Sequence, residues 1–349
     1  IDAVAYVGYE ITGIHINNIE YENGSDMTVL CDFVAVVTTD KIISTALDKN
    51  YLSKLGVEDK SKIASLNFYD EVQYFDEKVV DLSESGNNSV FGCVLKNKDE
   101  SLFDIHIYSF DKIKLPKNSS GLFSIFEYKN NNIVSNLSCV NGLSNLDTDN
   151  VTDMSELFKN CISLTNIDFT GFEAKYVSSV KEMFSGCKDL QNLDLNGINF
   201  ANVTDMQGVF EGCDSLTSLN FSDVDTSNVQ NFSKMFKNCR NLPNVDLSNF
   251  ATSNATDFSF MFSGCESVEA LDLSTFDTQN VKNMAYMFSG CVSLNALNLA
   301  SFITENVTDM SGMFAGAHNL QSIIYNFDTS NVVSMESMFY DCKNITDLD

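Results

Sequence analysis

Ten cysteines are the residues whose spacing in this 349-residue chain most readily suggests chemistry. Six recur every 26 residues, Ala317 fills the next position in register, and a seventh follows it by 25 residues. Copies stacked roughly 4.8 Å apart would bring neighbouring cysteines within disulfide distance, as a redox or metal ladder requires. Side chains of one column point inward together, however, and Ala317 indicates a position that needs a small apolar residue. We therefore predict a structural, buried column of free thiols at Cys161, Cys187, Cys213, Cys239, Cys265, Cys291 and Cys342.

A column of carboxylates and amides is the candidate binding face. It lies between two apolar positions of a period-two pattern and should therefore face outward. Like charges stacked roughly 4.8 Å apart repel by about 1 kcal/mol in water, so backbone donors, solvent, cations or a basic partner must compensate them. The structural and the ligand-binding interpretations are both open at this point. The residues of this face are Asp168, Asp194, Asn220, Asp246, Asp272 and Asn298.

A column of asparagines precedes the apolar residues of seven copies. An asparagine followed three residues later by an aspartate is typical of a helix N-terminus, where such side chains accept hydrogen bonds from free backbone amides. We therefore predict structural helix caps at Asn150, Asn202, Asn228, Asn254, Asn280, Asn306 and Asn331. Two other interpretations are open: an inward ladder that bonds the backbone of adjacent copies, and N-glycosylation, since three copies read Asn-Val-Thr.

Nothing in the sequence favours catalysis. The three histidines, His15, His106 and His318, are isolated, and the HExxH, GxSxG, GxGxxG and Walker A patterns do not occur. The cysteines form no CxxC pair and no cluster with histidine at metal-ligand spacing. We therefore predict a protein that is not an enzyme and that has no cofactor and no metal site.

These columns arise from a repeat of 26 residues, and copy positions are counted from the first residue of each copy. Positions 6, 9, 12, 13 and 16 are apolar at helical spacing, and glycine at position 15 is a helix stop signal. Positions 22 and 24 are apolar around a polar position 23, which predicts a short strand. A single copy cannot bury these residues, so neighbouring copies must cover one another. The sequence predicts an α/β solenoid, a right-handed array with one short helix and one short parallel strand per 26-residue coil. The eight copies begin at Leu146, Phe172, Ile198, Val224, Phe250, Phe276, Phe302 and Phe327.

The repeat is similar to that of a known family. Residues 306–316 read NVTDMSGMFAG, and residues 287–299 read MFSGCVSLNALNL. Both strings resemble the 26-residue repeat of BspA-like bacterial leucine-rich-repeat surface proteins, and the resemblance covers residues 146–349. Residues 115–126 resemble the segment that often precedes such arrays. The resemblance implies a leucine-rich-repeat-like array displayed on the cell surface, with adhesion or ligand binding by the array and without catalysis.

The first 145 residues show no such period. We expect a small α+β domain at residues 1–75 and a β-rich segment at residues 76–145 that caps the first coil, because the end of an array exposes apolar surface. The repeat solenoid then occupies residues 146–349. Within the N-terminal region, the pattern predicts a strand in residues 27–38, a helix in 41–55 and a strand or hairpin in 102–114.

The net charge of −27 at pH 7 is the strongest constraint on partners. Such a field repels phosphates, so we expect no nucleic acid partner, and no apolar run is long enough for direct membrane insertion. The array carries 27 of the 48 acidic residues but only 9 of the 21 basic ones. Together with what the resemblance implies, this leads us to expect an extracellular protein at a bacterial cell surface, whose acidic polar solenoid face binds a protein or glycan on a host, matrix or neighbouring cell. The alternative is a structural subunit of a surface filament or layer, which would self-associate through the solenoid end and the N-terminal region.

Overall fold

The computed structural model describes residues 45–70, 79–86, 89–96, 101–109, 111–196 and 198–346, together with the backbone of three earlier strands. The strands are β1 (Gly13–Ile16), β2 (Ile19–Tyr21), β3 (Val36–Thr38), β4 (Ile63–Tyr69), β5 (Val80–Asp81), β6 (Val90–Lys96), β7 (Phe103–Ser109), β8 (Ile113–Lys114), β9 (Glu127–Lys129), β10 (Asn132–Val134), β11 (Cys139–Asn141), β12 (Leu146–Asp147), β13 (Asn192–Asp194), β14 (Ser218–Asn220), β15 (Ala296–Leu299) and β16 (Ser322–Tyr325). The α-helix α1 is Tyr51–Lys54, and 3₁₀ turns cover Lys60–Lys62 and Leu143–Asn145. No helix in this part of the chain has the length and apolar character that crossing a membrane requires.

A five-stranded sheet precedes the array, in the order β11-β4-β7-β6-β5. Strands β11, β4 and β7 run parallel, and β6 is antiparallel to both β7 and β5. One sheet therefore joins β4, which lies before the predicted boundary at residue 75, to strands that lie after it. A separate antiparallel sheet has the order β2-β1-β3.

The local predictions for the N-terminal region meet different outcomes. The strand or hairpin predicted in residues 102–114 is confirmed by β7 and β8. The helix predicted in residues 41–55 is reduced to α1 in the described residues, because Leu47 instead bridges to Ser83 and donates its backbone N–H to Lys114. The predicted strand at 27–38 contains β3, whereas residues 27–35 and 41–44 lie outside the described residues.

The segment before the first copy adds one more layer to the array. Strand β8 pairs in parallel with β12, and Asn118 bridges to Asp153. The backbone N–H groups of residues 119, 121 and 123 donate to carbonyls of copy one at 2.8 to 3.0 Å. Further along, the N–H of Thr165 donates to the Ser138 carbonyl at 3.4 Å, which connects the array to the edge next to β11. The first copy is therefore covered by residues that the 26-residue period does not reveal.

Backbone hydrogen bonds along the stack hold adjacent copies together. In copies one to seven, the N–H groups at positions 9, 11, 13 and 15 donate to the carbonyls at positions 8, 10, 12 and 14 of the next copy. In copy one these donors are Met154, Glu156, Phe158 and Asn160, at 2.7 to 3.0 Å. The N–H groups at positions 12 and 14 bond the carbonyl three residues earlier, as Leu157 does to Met154, and the N–H at position 10 bonds the side chain at position 8, as Ser155 does to Asp153. Along this segment, backbone N–H groups therefore alternate between acceptors in the next copy and acceptors in their own copy.

This alternation replaces the helix that the apolar spacing predicts. The described residues of the array contain no α-helix, and the prediction of one helix per coil is wrong. A helix needs consecutive right-handed residues whose N–H groups bond four residues back, whereas positions 11 and 15 have positive φ in every copy. At position 15 these residues are Asn160, Gly186, Gly212, Asn238, Gly264, Gly290, Gly316 and Asp341, with φ between 58° and 77°. Glycine, asparagine and aspartate are the residues that adopt this conformation most readily.

The apolar positions form the predicted core despite this change of conformation. Val307, Met310, Met313 and Phe314 are fully buried, which confirms the core assignment of positions 6, 9, 12 and 13. The phenylalanines at position 13 stack from copy to copy, with ring centroids 5.3 to 5.9 Å apart and planes within 15° of parallel. This stack consists of Phe158, Phe184, Phe210, Phe236, Phe262, Phe288, Phe314 and Phe339.

Among the described residues, the predicted short strands form in four of the copies. Strands β13 and β14 pair in parallel, as do β15 and β16, with register offsets of 26 residues. Between these pairs lies Pro243, at position 20 of copy four. Position 20 of copies two, three, six and seven donates its N–H to the preceding copy, as Thr217 does to Gln191 at 2.9 Å. Proline has no N–H, so this bond cannot form at copy four and the strand column divides there.

A buried threonine column at position 3 links the backbones of adjacent copies. Each of these hydroxyls donates to the carbonyl at position 2 of the next copy, at 2.7 to 3.2 Å: Thr148, Thr226, Thr252, Thr278 and Thr304. Thr278 also accepts from the backbone N–H of Ile303 at 2.7 Å, so it satisfies both polar groups of that residue. Like the backbone hydrogen bonds between copies, these side-chain bonds run from a donor in one copy to a carbonyl in the next.

We expect Thr278→Val to lower the free energy of unfolding by about 2 kcal/mol, because valine keeps the shape but leaves the N–H and C=O of Ile303 without their partner. Urea unfolding followed by circular dichroism measures the change. Thr275→Val is the matched control, since Thr275 is exposed and three residues away. Equal stability of the two variants would contradict the role of this column.

Candidate functional site

The six residues of the candidate binding face lie in one exposed column. Their side chains are exposed, and the residues on either side of each are buried or half-buried. In these six copies the side-chain Oδ1 accepts a hydrogen bond from the backbone N–H two residues later, at 2.8 to 3.3 Å. This arrangement is an Asx turn, which aspartate and asparagine form equally well. The column members are Asp168, Asp194, Asn220, Asp246, Asp272 and Asn298.

The Asx turns keep the column charged. The backbone N–H of Thr170 lowers the pKa of the Asp168 carboxyl, and that of Ser248 does the same for the pKa of Asp246. The hydroxyl and then the backbone N–H of Ser274 lower the pKa of Asp272. The nearby charge of Asp272 raises the pKa of Asp246, but by less than the hydrogen bonds lower it. These three carboxylates are therefore ionised at neutral pH.

The arrangement presents fixed negative charges in pairs. Asp168 and Asp194 stand in adjacent copies, as do Asp246 and Asp272, and the neutral Asn220 separates the two pairs. The Asx turn uses one oxygen of each carboxylate, and in the described residues no ion pair engages any of the four. Such a column can attract a cationic group or donate its free oxygens to hydrogen bonds from a partner.

The asparagine column bonds adjacent copies and caps no helix. Its Nδ2 donates to the carbonyl at position 4 of the preceding copy, at 2.7 to 2.9 Å, in Asn202, Asn228, Asn254, Asn280, Asn306 and Asn331. Asn150, in the first copy, is exposed. The prediction of helix caps at these seven positions is wrong because positive φ at position 11 prevents the helix. The ladder between backbones, the second interpretation open from the sequence, describes the bonds of six of the seven, but these asparagines are exposed and do not point inward.

Comparison with known families agrees with the tandem organisation. A family model described as Mycoplasma protein of unknown function, DUF285, matches residues 127–222, 208–297 and 293–348. These three consecutive matches together cover more than half of the chain. The chain belongs to the DUF285 family. No curated relative matches the sequence. The first DUF285 match begins at β9, so the family pattern includes the hairpin and strand that precede copy one as well as the copies themselves.

The cysteines of the DUF285 array are free, and each thiol bonds a carbonyl of the preceding layer. Six are fully buried and Cys342 is half-buried. Their Sγ atoms donate to phenylalanine carbonyls at 3.0 to 3.3 Å, as Cys239 does to Phe210. Burial raises the pKa of Cys161 and Cys291 to about 12. It also raises the pKa of Cys187, Cys213, Cys239, Cys265 and Cys342. The thiols are therefore protonated and unreactive at neutral pH.

Two histidines of this DUF285 chain have polar partners that the sequence does not reveal. His106 Nδ1 lies 3.1 Å from the Tyr69 hydroxyl, and the two rings stack. His318 Nε2 lies 2.8 Å from a carboxylate oxygen of Asp341. His15 lies on β1, of which only the backbone is described. Within the described residues, no group of three or more histidine, cysteine or acidic side chains converges as metal ligands do.

A row of side chains at position 11 was missed by sequence reasoning. Lys237 lies over the ring of Phe260, which stacks on Tyr286 with centroids 4.8 Å apart. A Cβ atom on Gly312, the position-11 residue of the next copy, would lie 2.2 Å from Cε1 of Tyr286, so the ring covers this glycine. Ion pairs such as Lys237 to Glu211 and Lys159 to Glu182 continue the row. Aligning the copies at position 11 would have revealed the aromatic pair, but not the charges from other positions.

We expect fast modification of no more than Cys139 and Cys342 in a native Cys31→Ser variant. Cys31 lies outside the described residues, and of the nine described thiols only these two are not fully buried. Stoichiometry with an aromatic disulfide reagent, followed by mass spectrometry of the labelled peptides, measures the result. All nine should react in urea. Fast native labelling of Cys239 would contradict the buried column.

The Asx turns also predict how stability depends on pH. Because the folded-state pKa of Asp168, Asp246 and Asp272 lies below the ordinary value of 3.8, their contribution is present above that value and is lost as pH falls through the folded pKa. Unfolding of Asp168→Asn/Asp246→Asn/Asp272→Asn should therefore depend less on pH between about pH 5 and pH 3 than that of the wild type.

The control for this experiment removes three exposed carboxylates that accept no backbone hydrogen bond in the described residues: Asp189, Asp223 and Glu305. Their conversion to the amides changes the net charge equally. Urea midpoints at each pH give the comparison. An identical pH profile for the two triple variants would show that net charge, and not the Asx turns, determines it.

Proposed function

We propose that this DUF285 protein is a non-catalytic binding protein of a bacterial cell surface. The array is a right-handed solenoid of the leucine-rich-repeat kind, similar to BspA-like proteins, in which a turn segment takes the place of the helix. Its exposed column of aspartates and asparagines binds a protein or glycan partner in adhesion.

The observation that carries this proposal is the column from Asp168 to Asn298. The charges are exposed, held in one orientation by Asx turns and free of ion pairs in the described residues. The geometry of the turn does not require the charge, since Asn220 and Asn298 form the same turn. Aspartate at the other four positions therefore adds negative charge that the turn alone does not need, although like charges in adjacent copies repel.

The chemistry of the column defines the partner. The carboxylates of each pair are fixed in adjacent copies. A partner that matches them is an extended segment that lies along the array and carries basic or hydroxyl groups. Neighbouring polar groups add further contacts, such as Asn196 and Ser222, which are hydrogen-bonded to each other at 3.0 Å. Electrostatic attraction of this kind increases the association rate and weakens with added salt.

The test begins with a binding screen of the purified full chain against matrix proteins, cell-surface proteins and immobilised glycans. We expect a partner whose affinity falls about tenfold or more, equivalent to about 1.4 kcal/mol, in Asp168→Asn/Asp194→Asn/Asp246→Asn/Asp272→Asn. Surface plasmon resonance at two salt concentrations measures the change. The substitutions preserve the Asx turns, so the fold should be unchanged.

A second column provides the matched control. Asp147, Asp225, Asp277 and Asp328, at position 2, also accept backbone N–H bonds from residues two positions later. Their conversion to asparagine removes the same charge from a different part of each coil and should preserve binding. Equal loss in both quadruple variants would contradict a role for the candidate face. Concentration-dependent oligomers of the wild type in light scattering, without any partner in the screen, would favour the filament subunit.

A further inference from the structure

A cavity lies where the N-terminal region meets the layer that covers copy one. Its volume is about 180 Å³. One wall is formed by residues 49–53 with Lys60, and the other by residues 120–125, which contact copy one. We call it the junction cavity. It has no part in the acidic column of the array, and its residues are all described.

The charge of the junction cavity is opposite to that of the chain. Lys49 and Lys60 line it, and its lining includes no carboxylate, although acidic residues outnumber basic ones 48 to 21 in the sequence. Lysines nearby are neutralised, Lys54 by Asp48 at 2.9 Å and Lys129 by Asp59 at 2.7 Å. In the described residues neither lining lysine forms an ion pair. Lys49 Nζ makes one hydrogen bond, to the amide oxygen of Asn118 at 3.1 Å.

The remaining lining separates into a polar rim and an apolar floor. Hydroxyls of Ser53, Ser120 and Ser124 lie with the lysines, and Ser124 already donates to the Lys159 carbonyl at 2.7 Å. The side chains of Leu52, Leu122 and Ile125 are buried and form the floor. Tyr51 is also fully buried there, with its hydroxyl directed to the Leu122 carbonyl at 3.4 Å. A ligand would meet cationic donors at the mouth and hydrocarbon below.

We propose that the junction cavity binds a small organic carboxylate. Its volume holds about six water molecules, or an acid of about six to nine non-hydrogen atoms. The carboxylate accepts hydrogen bonds from Lys49 and Lys60, and the hydrocarbon part covers the leucine and isoleucine floor. A bare inorganic anion would satisfy the lysines and leave the floor wet. The site is independent of the array face, so its failure leaves the proposed function untouched.

Methyl NMR of the full chain tests this proposal, with butyrate, benzoate and inorganic phosphate as the probes. We expect butyrate or benzoate to shift the methyl signals of Leu52, Leu122 and Ile125 saturably. Lys49→Gln/Lys60→Gln should weaken this binding about tenfold or more, with unchanged methyl positions elsewhere. Lys188→Gln/Lys282→Gln removes the same charge from exposed positions of the array and should leave the affinity unchanged.

Three results would overturn the assignment. The first is no saturable shift of these methyls with either acid up to about 50 mM, a concentration at which even a weak site of about 10 mM would be mostly occupied. The second is phosphate binding as tightly as butyrate, which would show that the apolar floor contributes nothing. The third is an equal loss of affinity in the two double variants, which would indicate a general charge effect.

Discussion

Backbone hydrogen bonds between copies are the interaction on which the array depends. Four N–H groups in each of copies one to seven donate to the next copy at alternate positions, and the amides between them close local turns. These bonds give the amides of the turn segment their acceptors, as a buried backbone requires. The conformation that permits this pattern includes two residues of positive φ per copy, and at position 11 even Phe260 and Tyr286 adopt it. Left-handed residues of this kind cost roughly 1 kcal/mol each or more, and the regular bonds to the next copy offset that cost.

This constraint determines which positions are free to vary. Inward positions must fill a column of fixed cross-section, so phenylalanine stacks on phenylalanine and cysteine or Ala317 occupies the narrow position 16. The residue types at Thr278 and Asn280 are constrained because these side chains form hydrogen bonds with the backbones of neighbouring copies. Outward positions such as 11 and 23 lie outside the buried column, where a side chain such as Phe260 contacts other surface side chains. Charge and aromatic character can therefore change along the array without any change in the backbone.

The repeat length and the buried and exposed positions could be predicted from the sequence, but the backbone conformation of each copy could not. Period, buried positions and the outward column all follow from residue types, and Phe314 and Asp272 are where the pattern places them. The prediction of a helix was wrong because successive turns with a left-handed residue between them give the same spacing of three and four residues between apolar positions. The residue types at position 15 were the signal that could have indicated a left-handed turn. Asn160, Asn238 and Asp341 replace glycine there, and these are the residue types that adopt positive φ most readily. The layer at 113–125 stayed hidden because 35 residues, not 26, separate Asn118 from Asp153.

The distribution of charge follows from the same division between fixed and free positions. In the array, acidic residues accumulate where the backbone offers N–H groups for Asx turns, so negative charge is partly a by-product of turn chemistry. Asn220 and Asn298 show that the turn alone does not require the charge. The junction cavity lies before the first copy, where the repeat does not constrain the lining, and there two lysines lie with hydroxyls and hydrocarbon. Charges that the fold does not need, of either sign, are therefore the residues in which function is most reasonably sought.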